Sequence, residues 1–165
     1  MIMTLEEKQQ DIIDEFAIYD DWMDKYEYII ELGKDLPLIN EEKKTDNRLI
    51  EGCQSRVWLD SEVKEGKLFF TADSDAIITK GIIGLLIRVL NGETIENVAT
   101  ANLFFISKIG LQEHLSPTRA NGLASMVKCA HIKHSILLNI CPDHSRLLIS
   151  LPRRTRNLSA TNRLL

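Results

Sequence analysis

Three of the chain's 165 residues are cysteine, at positions 53, 129 and 141. An odd count so widely spaced argues against a disulfide framework. Long apolar runs are missing too. The most apolar stretch, Gly81 to Leu90, is interrupted by Arg88 and is too short to cross a bilayer. Met1 to Gln10 carries Glu6, Glu7 and Lys8 where a secretory leader needs an apolar segment. These absences predict a cytoplasmic protein with no membrane partner. Up to Val127 positive charge is outnumbered, with 13 basic residues against 23 acidic ones, a balance of −10. Nucleic acid is thereby disfavoured as a partner, because phosphate contacts need a basic face. An acidic body of this kind fits docking to other proteins. Histidine is scarce: His114 alone precedes residue 131, and no oxyanion-type glycine cluster accompanies it. A cysteine hydrolase would lack its base. His114 reads better as a solvated histidine at a helix end.

What is present suits one globular domain. A 44% hydrophobic fraction with charges dispersed through it supports a single core at this length, and no internal repeat is visible. Thr4-Leu5-Glu6-Glu7 is a capping box, opening a helix with Leu5, Ile12, Ile13 and Phe16 on one face. A second helix starts at Asp20 or Asp21, shows Trp22, Tyr26, Ile29 and Ile30, and ends at Gly33. Leu36-Pro37 breaks the pattern, and the charged stretch Glu41 to Asn47 reads as a solvated loop. Val57 to Asp60 and Lys67 to Ala72 read as strands of an antiparallel hairpin, with a loop from Ser61 to Gly66. Arg48 to Ile50 is a candidate third strand. Asp73, Ser74 or Asp75 is expected to cap the next helix, from Ile77 to Asn91-Gly92. Its apolar residues run most of the way round, as in a buried central helix. Gly81 and Gly84 would let another element come close. Short helices follow at Glu93–Ala99 and Leu103–Leu111. Ser116-Pro117 starts a last helix that runs past Met126. The order predicts an α+β fold: a small antiparallel sheet of about three strands covered by helices.

The chemistry concentrates in Arg48 to Leu59. Gly52 permits a reversal of the chain just before Cys53, and Val57-Trp58-Leu59 suits a strand leaving the turn. Cys53 would be held at the tip. On these residues alone an accessible nucleophile and a buried structural thiol are equally supported. Gln54 and Ser55 are expected to hold the turn through side-chain to backbone hydrogen bonds. Trp58 reads as packing, with an indole N–H that needs a partner if buried.

Gly52-Cys53-Gln54-Ser55-Arg56-Val57-Trp58-Leu59 resembles the signature of the SufE family, the sulfur acceptors of iron–sulfur cluster assembly. The likeness continues through Ala72-Asp73-Ser74-Asp75-Ala76, Lys80-Gly81 and Leu115-Ser116-Pro117-Thr118-Arg119-Ala120-Asn121-Gly122-Leu123, and covers about Thr4 to Lys128. It implies that Cys53 accepts persulfide sulfur from a SufS-type cysteine desulfurase, stimulates it, and passes the sulfur to a SufBCD-type scaffold. The pyridoxal phosphate belongs to the desulfurase, so this chain is expected to bind no cofactor and no metal, and to act as a monomer. A sulfur acceptor needs an accessible thiolate, yet a free thiol with pKa of about 8.5 is only slightly ionised at neutral pH. Arg119, in the matching segment, is the preferred source of nearby positive charge. Arg48 and Arg56 are closer in sequence but read as a solvated face, and Asp73 and Asp75 as helix caps rather than acids. Within the resemblance, a CsdE-like relay to another acceptor is the competing role.

The end of the chain differs. From Lys128 onward 7 basic residues face one acid, Asp143, and from Ser135 more than half the residues are Leu, Ser or Arg. Residues 1–134 are assigned to the sulfur-acceptor domain. Residues 135–165 are assigned to an atypical basic tail, read as the product of a frameshift near codon 128 or as a poorly ordered extension. Sequencing that locus decides between these. Cys129, His131, His134, Cys141 and His144 together suggest a different class of function, a zinc-binding interaction module.

Overall fold

The computed structural model describes residues 3–138, with the backbone alone over 133–138. Among these residues are seven α-helices and one two-stranded sheet. No helix among them is long and apolar enough to cross a membrane. The order is α1 (Leu5–Phe16), α2 (Trp22–Lys34), β1 (Val57–Lys64), β2 (Lys67–Ser74), α3 (Ile77–Leu90), α4 (Ile95–Thr100), α5 (Phe105–Lys108), α6 (Leu111–His114) and α7 (Pro117–Leu138). This is the expected α+β class.

The helix starts follow local chemistry. The Thr4 hydroxyl accepts from Glu7 N at 3.2 Å, and the Glu7 carboxylate accepts from Thr4 N at 2.7 Å, closing the capping box of α1. Asp21 caps α2 by accepting from Asp24 N. The start of α3 departs from expectation. Its N-cap is Ala76, with no side-chain cap bond, because the three candidates are engaged elsewhere. Asp73 is held by Lys44 and Lys80 at 2.6 and 3.0 Å. Ser74 Oγ accepts from Ala76 N, and the Asp75 carboxylate accepts from Arg56 N across the chain. The expected helix over 103–111 is two short ones, parted at Gly110, whose φ of +70° no helix continues through.

β1 and β2 pair from Val57 with Ser74 to Lys64 with Lys67. Glu65 and Gly66, both at positive φ, make the two-residue turn that matches strand twist. Such a turn carries the ladder to its very end, so Ser61 to Lys64 are strand rather than loop, with their polar side chains in solvent. The third strand is reduced to a bridge between Leu49 and Trp58, since Asp46–Arg48 coils into a single 3-10 turn first. Leu38 bridges Ala72 at the other edge, so both edges are shielded by short segments.

The core gathers round α3, where Ile78, Ile82, Ile83, Leu85, Leu86, Val89 and Leu90 are all buried. Phe16 from α1, Ile29 from α2, Leu59 and Phe70 from the sheet, and Phe105 from α5 close over it. α2 crosses α3 at glycine. A Cβ on Gly81 would stand 2.0 Å from the Ile29 carbonyl oxygen, and one on Gly33 would stand 3.0 Å from Gly81 N.

Candidate functional site

The turn bearing Cys53 lies between the Leu49–Trp58 bridge and the N-terminal half of α7. Ile50 N donates to the Val57 carbonyl at 2.8 Å, which closes the reversal. Gly52 inside it has a φ of +86°, and a Cβ there would sit 2.6 Å from Ser125 Oγ. Glycine is thus required twice over, by backbone conformation and by contact with α7. Cys53 follows, half-buried, its thiol donating to the Gly122 carbonyl with Sγ 3.6 Å from the oxygen. Gly122 makes room: a Cβ on it would touch Sγ at 3.4 Å. Small residues on one face of α7 therefore seat the turn.

In front of the thiol opens a cavity of about 450 Å³. Cys53, Gln54, Ser55 and Arg119 all line it, so four of the five residues singled out from the sequence meet there. Gly52 lies just behind, against Ser125. Burial pushes the Cys53 thiol pKa up, and the neighbouring Cys129 thiol adds to this in the same direction. Both effects favour the neutral thiol over the thiolate. Arg119 is exposed and is the only Lys or Arg among the described residues that line the cavity. The other two arginines considered are turned to different work. Arg48 Nε donates to Asp60 at 3.0 Å, while the Arg56 guanidinium lies over the Trp58 ring at 4.9 Å.

The turn is fastened differently from expectation. Ser55 reaches a side chain, not the backbone: its Oγ is 2.9 Å from Thr79 Oγ1 on α3. Gln54 is exposed and makes no side-chain hydrogen bond among the described residues. The firm backbone tie is between Arg56 and Asp75, with Arg56 N donating to the carboxylate at 3.0 Å and Asp75 N to the Arg56 carbonyl at 3.3 Å. Trp58 is 9% exposed, and its indole N–H has no hydrogen-bond partner among the described residues. Burial works to raise the Asp73 carboxyl, but hydrogen bonds from Lys44 and Lys80 outweigh it and hold its pKa below the usual carboxylate range.

Residues missed in the sequence are those that meet the turn from far along the chain: Thr79 on α3, and Gly122 and Ser125 on α7. Gly122, Ser125 and Cys129 do fall at helical spacing for one face, but nothing local says that Cys53 rests there. His114 takes no part in the cavity. Its ring stacks on Trp22 at 3.9 Å between centroids, and its Nδ1 lies 2.9 Å from the Gly110 carbonyl oxygen. Of the candidate zinc ligands, Cys129 and His131 are half-buried on α7, while the His134 side chain, Cys141 and His144 lie outside the described residues. The tail assigned to 135–165 is outside them from residue 139 onward.

Comparison with known proteins bears on what this site is for. The SufE family, described as Fe-S metabolism associated domain, matches residues 10–134. A SufE-like protein of Rhizobium etli is 44% identical over 122 residues, 71% of this chain and 82% of that one. A SufE-like protein of Synechocystis is 35% identical over 130 residues, covering 79% and 82%. A solution structure of a hypothetical protein from Thermus thermophilus has the same fold, with a TM-score of 0.67 at 21% identity over 80% of this chain and 96% of that one. The chain belongs to the SufE family, with a role in sulfur transfer within iron–sulfur metabolism.

Proposed function

We propose that Cys53 is the sulfur acceptor, loaded by a SufS-like, pyridoxal-phosphate-dependent cysteine desulfurase and unloaded onto a SufBCD-like scaffold. The observation that carries this reading is the placement of Cys53: a thiol in a glycine turn, inside the family signature, facing a cavity large enough for added sulfur. The step resembles thiol–disulfide exchange. The Cys53 thiolate attacks the outer sulfur of the donor's persulfide, forming a new S–S bond. The donor's own S–S bond breaks, its cysteine leaves as thiolate, and Cys53 becomes the persulfide. No net oxidant is consumed.

Burial supplies a reason for timing. A thiol whose pKa is raised is a poor nucleophile in the free protein. It becomes reactive when docking changes its surroundings, and Arg119, which lines the same cavity, is the cation to which we assign stabilisation of the thiolate. Ser55, bonded to Thr79 on α3, helps hold the turn that carries it. Desulfurase turnover with and without this chain tests the reading. Stimulation lost in Cys53→Ala and kept in Cys129→Ala is expected; the reverse pattern would move the acceptor to Cys129.

A further inference from the structure

Buried polar side chains are few among the described residues: Gln9, Thr79 and Glu93. Two have architectural partners. Gln9 bridges the Asn102 carbonyl and Phe105 N, and Glu93 is held by Lys8 and Asn97. Thr79 differs. It is 6% exposed, the one polar side chain among the buried residues of α3, lines the Cys53 cavity, and has Ser55 of the turn as its hydroxyl partner at 2.9 Å. A buried hydroxyl costs stability unless it is bonded, and valine would fill the same volume without that requirement. Packing therefore does not explain the hydroxyl, whereas a tie to the turn does.

We propose that Thr79 is a positioning residue, a latch that holds Ser55 and so keeps the turn in the arrangement where the Cys53 thiol is withdrawn against Gly122. The bond joins two side chains, so it opens without disturbing the backbone ladder that runs from Val57. Two residues after the thiol, it governs how often Cys53 leaves its seat. Its biological consequence rests on the sulfur-acceptor reading; the latch itself is a property of the free protein.

The test is native-state alkylation of the full chain with iodoacetamide, with Cys53, Cys129 and Cys141 read separately by peptide mass spectrometry. Thr79→Val is expected to raise the Cys53 rate about fivefold, the equilibrium factor of one neutral hydrogen bond. Thr79→Ser, which keeps the hydroxyl, should stay near the parent rate. Ser55→Ala should match Thr79→Val, and the double variant should add nothing, because both remove the same bond. Cys129 labelling should not change. An unaltered Cys53 rate in Thr79→Val, multiplying effects in the double variant, or Cys53 and Cys129 rising together would each overturn the latch. Failure of Cys53 to receive sulfur from a desulfurase would instead overturn the acceptor role and leave the labelling result standing.

Discussion

Cys53 is the residue on which the proposed chemistry depends, and its surroundings disfavour the thiolate rather than promoting it. Burial favours the neutral thiol in the folded chain. The folded pKa is raised, so this group's contribution to stability is complete below the unfolded thiol pKa and is lost as pH rises through the folded one. Alkylation of Cys53 against pH should give a midpoint above that of the same cysteine in the urea-unfolded chain. A midpoint at or below the unfolded value would mean that a positive charge already acts on the thiol at rest. Gly52 offers a second test. Gly52→Ala meets both a positive φ and the Ser125 hydroxyl, and should cost roughly 1–3 kcal/mol in urea unfolding. Adding Ser125→Gly should restore part of the loss, since it removes the contact but not the strained backbone. At this scale the turn was legible because Gly52 and Cys53 act through neighbours in sequence. Thr79, Gly122 and Ser125 were not, because they lie 24 to 73 residues from their partners and no local pattern marks them.

Among elements, the close crossing of α2 and α3 depends above all on the missing side chain at Gly81. Gly81→Ala would drive a methyl into the Ile29 carbonyl. The backbone must separate, and a loss of about 3 kcal/mol or more is expected from denaturant unfolding. Gly84→Ala has only Leu32 and Leu36 atoms at 3.6 and 3.9 Å. It should be tolerated, and gain up to about 1 kcal/mol from helix propensity. Equal effects at the two positions would contradict the described crossing. The sequence suggested close approach at both glycines, and the structure assigns it to Gly81. Helix boundaries were readable where a cap is local, as at Thr4, Asp21 and Pro117. They were not readable at Ala76, because Asp73 and Asp75 were drawn into contacts with Lys44, Lys80 and Arg56, which lie 7 to 29 residues away. The third strand failed for a related reason: only Leu49 and Ile50 remain extended after the 3-10 turn, too few for more than a bridge.

At the scale of the whole molecule, four acids among the described residues tie separate parts of the chain together. Glu15 pairs with Arg88, Asp60 with Lys43 and Arg48, Asp73 with Lys44 and Lys80, and Glu93 with Lys8. Hydrogen bonding to Arg88 lowers the Glu15 pKa; at the other three, burial acts to raise it but the paired cations prevail. Each contributes stability present above the unfolded carboxylate pKa of about 4 and lost as pH falls through its lowered value. Urea midpoints should therefore drop as pH is taken below about 4. In Asp73→Asn the drop should be shallower, with a lower starting stability at neutral pH. An unchanged slope would show that Asp73 carries none of it. The α+β class and the family were both legible from the chain, through ordered motifs spread from Gly52 to Leu123.

The most direct test of sulfur acceptance at Cys53 is intact-protein mass spectrometry after incubation with a cysteine desulfurase and cysteine, without reductant. A gain of whole sulfur atoms is predicted, mapped to the peptide holding Cys53 and absent in Cys53→Ala. A folded chain that gains no sulfur beside an active SufS-like desulfurase, or gains it only at Cys129 or Cys141, would contradict it.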